Sequence, residues 1–186
     1  MKKAEVLLAG LGGQGIQLAG DILARSCVLE GKKVSVLPSY GAEARGTLIR
    51  TEVVISEETI TYPGVLEPDL FVAFSQKAYD YFLPTVQPST KVIYDPASVI
   101  PIKADQLEAK QHPVPAIRTA EDLGNEKAAN MVMLGALAAF SELISRNALE
   151  KAIAEDKSKA RRELSTKALE RGFELANQQL ESGGLT

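Results

Sequence analysis

A-E-V-L-L-A-G-L-G-G-Q-G-I-Q-L-A-G-D-I-L-A, residues 4–24, is the stretch from which the fold is read. Ala4 to Ala9 predicts a mostly buried strand. It runs into a glycine-rich turn, Gly10-Leu11-Gly12-Gly13-Gln14-Gly15, that satisfies G-x-G-x-x-G. Gly15 to Glu30 then has the length and composition of a helix. Ile16, Ala19, Leu23 and Cys27 recur on one face at helical spacing. Gln17, Asp21 and Arg25 form a narrow polar stripe, with Asp21 four residues before Arg25, the favourable order for an ion pair. Gly31 is a natural C-cap. A strand, a glycine turn and a helix in this order open an α/β fold.

Outward from this unit, Lys33 to Leu37 predicts a second strand, stopped by Pro38. Ser39 to Thr47 lacks hydrophobic periodicity and predicts an ordered loop. Leu48 to Ser56 alternates as a strand, Glu57-Glu58 as a turn, and Thr59 to Tyr62 as a short hairpin partner. Leu70 to Phe74 predicts a third core strand. Ser75 reads as the N-cap of a short helix through Leu83. Lys91 to Tyr94 is a further strand, closed by Asp95-Pro96, and an edge strand is expected near residues 111–114. Thr119 reads as the cap of a short helix that Gly124 ends. Ala128 to Phe140 is a nearly all-apolar helix, to be buried on most sides. Ser145 starts the next helix, Arg146 to Ala154, and Ala160 to Leu180 is long and amphipathic.

This order predicts a three-layer α/β/α domain. It has a mixed central sheet, a Rossmann-like glycine-rich first turn and C-terminal helices. Residues 1–181 form one domain, and 182–186 a frayed tail.

Composition narrows the chemistry. Among 186 residues, 21 Lys and Arg face 24 Asp and Glu, for a formal net charge of -3. That balance offers no general attraction to nucleic acid or anionic lipid. No apolar run approaches the roughly 18 residues of a membrane span. The N-terminus lacks the pattern of a secretory signal, so a cytoplasmic location is expected, and a free Cys27 agrees with a reducing compartment. One cysteine cannot hold an iron–sulfur cluster, which needs about four thiolates. One histidine, His112, removes any His-based metal cluster.

The glycine turn reads in two ways. Backbone N–H groups at a helix N-terminus favour an anion, which points to a dinucleotide or another phosphate ligand. Yet a dinucleotide fold also carries an acidic residue at the end of its second strand, about 20 residues on. Here that strand ends Val36-Leu37-Pro38-Ser39, and Glu30 precedes it. No Gly-Lys-Ser/Thr follows the turn, so it is not a P-loop. The other reading is a tight strand–helix connection in which glycines permit close packing. The loop after the second strand supplies Tyr40, Glu43 and Arg45, flanked by Gly41 and Gly46. It is expected on the same sheet edge, as a ligand or subunit contact or as a solvated ion pair.

Three segments together resemble the gamma subunit of 2-oxoacid:ferredoxin (acceptor) oxidoreductases. They are G-L-G-G-Q-G-I-Q-L-A-G-D-I-L-A (10–24), P-S-Y-G-A-E-A-R-G-T (38–47) and A-N-M-V-M-L-G-A-L (129–137). The resemblance runs from about residue 4 to about residue 180. The usual central motif is S-Y-G-P-E-x-R-G-G; this chain has Ala42 and Thr47 at its proline and last glycine. Within the family the pattern is most similar to the 2-oxoglutarate branch. Pyruvate, branched-chain and indolepyruvate enzymes use similar chains.

The resemblance implies a reaction in which a 2-oxoacid, coenzyme A and oxidised ferredoxin give acyl-CoA, carbon dioxide and reduced ferredoxin. Thiamine diphosphate, Mg2+ and [4Fe-4S] clusters are expected on partner alpha and beta subunits, and a ferredoxin-like delta subunit is a further candidate partner. None is expected on this chain, whose role is then assembly and site shaping, inactive by itself. Gly10, Gly12, Gly13, Gln14 and Gly15 become a candidate contact for an anion or coenzyme A. Ser39, Tyr40, Gly41, Glu43, Arg45, Gly46 and Asn130 become candidate subunit-facing or site-shaping residues. A chain without its partners is expected to expose apolar surface and self-associate. The alternative is an independent nucleotide-binding enzyme or module that uses the Gly10–Gly15 turn.

Single residues carry plainer expectations. Cys27 reads as a small buried hydrophobe and His112 as a surface or loop residue. Asn130 reads as an N-terminal cap of the apolar helix, and Met131 and Met133 as core filler. Asp95 sits at a strand end, where Asp-Pro reads first as a turn.

Overall fold

The structure is a computed structural model and describes residues 3–39 and 47–183. The strands are β1 (Lys3–Leu11), β2 (Lys33–Ser39), β3 (Leu48–Ser56), β4 (Leu70–Ala73), β5 (Lys91–Tyr94) and β6 (Lys110–Pro113). The helices are α1 (Ile16–Leu29), α2 (Gln76–Phe82), α3 (Ala116–Asp122), α4 (Ala129–Ser141), α5 (Arg146–Ala154) and α6 (Lys159–Gly183). The strands form one sheet in the order β2-β3-β1-β4-β5-β6. β1, β4, β5 and β6 run parallel, whereas β3 lies antiparallel to both β1 and β2. The sheet is mixed, as the sequence predicts.

Strand alternation sorts the core into two layers. Val6 and Leu8 of β1, Leu70 and Val72 of β4 and Ile93 of β5 pack with α1, α4, α5 and α6. Leu7 and Ala9, Phe71 and Ala73, and Val92 and Tyr94 turn to the other face, against Tyr79 and Phe82 of α2. The three layers are therefore unequal, with α2 and loops covering one face and most of the helices the other.

Four expectations are corrected. Thr59–Tyr62 is not a strand; β3 already pairs with β1 on one side and β2 on the other, so no edge remains for it. Helix α3 starts before Thr119, whose hydroxyl donates to the Pro115 carbonyl at 2.7 Å from inside the helix. His112 is not a surface or loop residue. It belongs to β6, half-buried, with its ring 4.2 Å from that of Phe140 and Nε2 buried without a hydrogen-bond partner. Helix α6 continues to Gly183, beyond the expected start of the tail. Among the described residues no helix is long and apolar enough to cross a membrane.

The apolar α4 is clamped between the sheet and α6. The two helices meet through glycine. A Cβ at Gly135 would overlap the Leu169 carbonyl oxygen, and one at Gly172 the carbonyl oxygen of Val132. Helix propensity alone favours alanine over glycine by about 1 kcal/mol. The overlap acts the other way, because both obstacles are backbone atoms that cannot rotate aside. Gly135→Ala and Gly172→Ala should each lower stability by about 2 kcal/mol or more, read from urea unfolding. Unchanged or raised stability would refute the close crossing.

Burial, and then Lys91 and Lys110, hold the His112 imidazole below its ordinary value of 6.5. The folded chain thus keeps His112 neutral where the unfolded chain binds a proton. Stability present above about pH 6.5 should be lost progressively as the pH falls below it, ahead of the carboxylate range. Unfolding free energies measured from pH 7 to 5 should decline, and His112→Phe should flatten that slope.

Candidate functional site

The site is built on the strand–helix junction. β1 ends at Leu11, and Gly15 is the N-cap of α1 in the left-handed region, with no side-chain cap. Gly13, at φ +100°, also holds a conformation that suits glycine. The first four N–H groups of such a helix lack intrahelical partners and carry the positive end of its dipole. The turn is bolted shut by Gln14. Its Oε1 accepts from Leu11 N–H at 2.6 Å, and its Nε2 donates to the Phe74 carbonyl at 2.7 Å, at the end of β4. Gly12 N–H donates to the Thr47 carbonyl at 3.0 Å, tying the turn to the segment that enters β3. A Cβ at Gly10 would lie 2.6 Å from Gln14 Oε1 and 2.8 Å from Phe74 Cβ. Glycine is needed there for the bolt to pass.

Asn130 is placed differently from its expected role. The N-cap of α4 is Ala128, and Asn130 lies inside the helix, 3% exposed. Its Nδ2 donates to the Gly15 carbonyl at 3.2 Å, and a Cβ on Gly15 would collide with it. Asn130 therefore pins α4 to the start of α1. Ser39 ends β2, exposed and paired with Arg50 in the ladder. Tyr40, Gly41, Glu43, Arg45 and Gly46 lie outside the described residues.

Beside the turn, at the carboxyl ends of β1, β4 and β5, opens a cleft of about 240 Å³. Gly13, Phe74, Asp95, Ile117, Lys127 and Met133 are among its lining residues. This is the edge where open α/β sheets take ligands. Asp95 is 3% exposed; its Oδ1 accepts from Ala97 N–H at 2.7 Å and its Oδ2 from Ile117 N–H at 2.6 Å. It thereby caps α3 from a neighbouring strand. Sequence reading took Asp95 as a turn residue and Met133 as core filler, and it did not single out Phe74, Ile117 or Lys127. A strand-end aspartate was the one available signal.

The donor set does not suit the redox groups of the resemblance. Cys27 is buried, and burial pushes its thiol up to about 11, so it is held as a neutral thiol. Among the described residues no three His, Cys, Asp or Glu side chains converge to hold a metal ion. What the site can do is bind. It has a helix N-terminus, a rigid turn and a largely apolar cleft with one buried carboxylate.

Comparison with known proteins places the chain among subunits. The family model for pyruvate ferredoxin/flavodoxin oxidoreductase matches residues 5–175. The 2-oxoglutarate synthase subunit KorC of Methanocaldococcus jannaschii is 38% identical over 95% of this chain and 95% of its own length. Subunits of ketoisovalerate and pyruvate oxidoreductases match as well. The keto/oxoacid ferredoxin oxidoreductase gamma subunit of Geobacter sulfurreducens superimposes with a TM-score of 0.80 at 32% identity. That match covers 94% of this chain and 99% of the other. A 2-oxoglutarate:ferredoxin oxidoreductase from Magnetococcus marinus, solved with 2-oxoglutarate, coenzyme A and succinyl-CoA, has a TM-score of 0.87 at 28% identity. It covers 96% of this chain and 32% of the longer one. These relatives lend no support to an independent nucleotide-binding enzyme.

The Gln14 bolt is testable on stability alone. Gln14→Leu keeps the bulk but strands the Leu11 N–H and the Phe74 carbonyl, and should cost about 2 kcal/mol. Gln14→Glu can accept but donates only when protonated. Its deficit relative to the parent chain should therefore shrink on going from pH 7 to pH 5. A pH-independent deficit would show that the bond to Phe74 contributes nothing.

Proposed function

The chain belongs to the pyruvate ferredoxin/flavodoxin oxidoreductase family, and we propose that it shapes the coenzyme A side of a 2-oxoglutarate-oxidising complex. It is a gamma subunit of a 2-oxoacid:ferredoxin oxidoreductase. The preference for 2-oxoglutarate over pyruvate or a branched-chain acid rests on similarity to KorC along nearly the whole chain.

Oxidative decarboxylation of a 2-oxoacid needs an electron sink for the developing carbanion and carriers for two single electrons. Thiamine diphosphate with Mg2+ and [4Fe-4S] clusters supply these, on alpha and beta partners and, where present, a ferredoxin-like delta chain. One buried cysteine cannot by itself hold an iron–sulfur cluster, which supports carriage of the clusters on partner chains. This chain's own residues bind and orient. The Gly13 and Gly15 amides at the α1 N-terminus would meet the negative charge of a coenzyme A phosphate, Gln14 fixes the turn against β4, and Asn130 fixes it against α4. Val28 and Leu29 of α1 and Val36 of the edge strand β2 are exposed and line one shallow depression. That apolar depression favours assembly with partner chains, or self-association in their absence.

The observation that carries this reading is the cleft beside the glycine turn, at the ligand edge of the sheet. It is tested in the reconstituted complex. Gly13 lines the cleft, and a Cβ there meets no neighbouring atom. Because Gly13 sits at φ +100°, the test uses Gly13→Asn, a side chain more tolerant of positive φ; it should raise the KM for coenzyme A about tenfold while leaving the KM for the 2-oxoacid and the subunit composition unchanged. A loss of assembly with an unchanged KM for coenzyme A would make the turn purely structural. The same preparation, assayed with 2-oxoglutarate, pyruvate and branched-chain 2-oxoacids, tests the substrate.

A further inference from the structure

We propose that the α2 face of the sheet, over β2 and β3, docks an amphipathic helix of a partner subunit, with a carboxylate of that helix on Arg50. The proposal is independent of the coenzyme A reading. It starts from an unfinished layer. On this face α2 packs on β1, β4 and β5 through Tyr79 and Phe82, and among the described residues β2 contributes nothing to that core. Leu7, which faces α2, stands opposite Glu52 in the β1–β3 ladder, and Leu37 of β2 stands opposite Glu52 on its other side. All three therefore share this face, and Leu37 is exposed on it. Sheets of α/β proteins carry helices on both faces. A helix laid beside α2 would complete this one.

Around this gap exposed apolar side chains are contiguous. Arg50 and Glu52 line a hollow of about 170 Å³ together with Leu66 and Phe82. Leu66 is 63% exposed, and Tyr81, 64% exposed, has its ring 4.9 Å from that of Phe82. A Cβ at Gly64 would lie 3.0 Å from the Tyr62 ring and 3.1 Å from Glu52 Oε2, which sets the exposed Tyr62 against the same hollow. Contiguous apolar surface with tyrosine and arginine is the composition of a protein interface. Arg50 fixes the kind of partner. Its guanidinium stands 5.7 Å from the centre of the Phe82 ring, and its Nε donates to Glu52 Oε1 at 2.6 Å. Glu52 Oε2 accepts from Val65 N–H at 2.9 Å, so both oxygens of that carboxylate are engaged. A guanidinium has five N–H donors, and Glu52 takes one. Among the described residues the two Nη groups have no hydrogen-bond partner. They form an oriented fork for a bidentate carboxylate from outside. A second copy set patch to patch would bring the same arginine and not that carboxylate.

The complex reconstituted with its partner subunits tests this. Leu66→Asp and Tyr81→Asp alter exposed side chains, so the unfolding midpoint of the isolated chain should stay in place. Each should weaken assembly with the partner subunits by about tenfold or more, read by co-elution across a dilution series. Arg50→Met keeps an apolar stem beside Phe82 but loses the donors, and should weaken assembly as well; Arg50→Lys should retain part of it. Treated with a carbodiimide, the assembled Arg50→Lys complex should join the new amine to an Asp or Glu in a helix of a partner subunit, located by mass spectrometry. Undiminished assembly of Leu66→Asp and Tyr81→Asp overturns the proposal, as does a cross-link only to Glu52 or to a second copy of the chain. The KM for coenzyme A is a separate readout of the same complexes and should match the parent's, so either of those failures leaves the coenzyme A reading standing.

Discussion

The structure depends on one crowded junction, where the end of β1, the start of α1, the end of β4 and the first turn of α4 come too close for a Cβ. Gly10 gives way to the Gln14 amide and to Phe74, and Gly15 to Asn130. The close approach is useful because two of the intruding side chains, Gln14 and Asn130, are primary amides. Such a group donates and accepts at once, so it can satisfy backbone on two sides of a gap. Gln14 does this between Leu11 and Phe74. Asn130 reaches across 115 residues of sequence to the Gly15 carbonyl. Larger residues at the glycines would push α1 and α4 off the sheet. The turn would then lose the fixed geometry on which any anion contact relies.

A second glycine contact carries this order outward. α4 approaches α6 through Gly135 and Gly172, backbone against backbone. α4 is nearly all apolar and has α6 on one side and the sheet on the other. The junction and the crossing share this helix, so the position of the ligand edge is coupled to the packing of the C-terminal helices. Antiparallel β3 between β1 and β2 adds a consequence. It displaces β2 to the margin of the sheet, where Val36 and Leu37 lie exposed. Edge strands of soluble proteins are usually blunted by charge or proline. β2 carries Pro38 near its end and Lys33 at its start, leaving the apolar middle for contact with another chain.

Much of this was legible in the sequence. The strand–glycine–helix opening, the β4 and β5 strands, the Ser145 cap and the apolar α4 follow from local pattern, and local pattern decided them in the structure too. The failures share a cause. Thr59–Tyr62 has strand composition, but β3, which precedes it, has no free edge to offer. His112 stood between polar and proline neighbours, and only the tertiary fold brings it onto Phe140. Asn130 looked like a cap because it stands near a helix start; its partner lies on another helix. Asp95 does open the turn read there, with the Ser98 N–H donating to its carbonyl, but its further role as a cap for α3 depends on an amide 22 residues away. Periodicity reports which face of an element is buried, and it is silent on which element will be opposite.

The same distinction bears on what a subunit of a redox complex can contribute through shape alone. Electron transfer needs cofactor ligands, which are legible from cysteines, and here the one cysteine is buried with its thiol pushed to about 11. Carrying an acyl acceptor needs only shape and potential. The α1 N-terminus carries the positive end of its helix dipole, and the Asp95 carboxyl group lies buried in the cleft beside it. Binding through such groups needs no metal-ligand set and no nucleophile, so a single cysteine and a single histidine do not argue against a binding role.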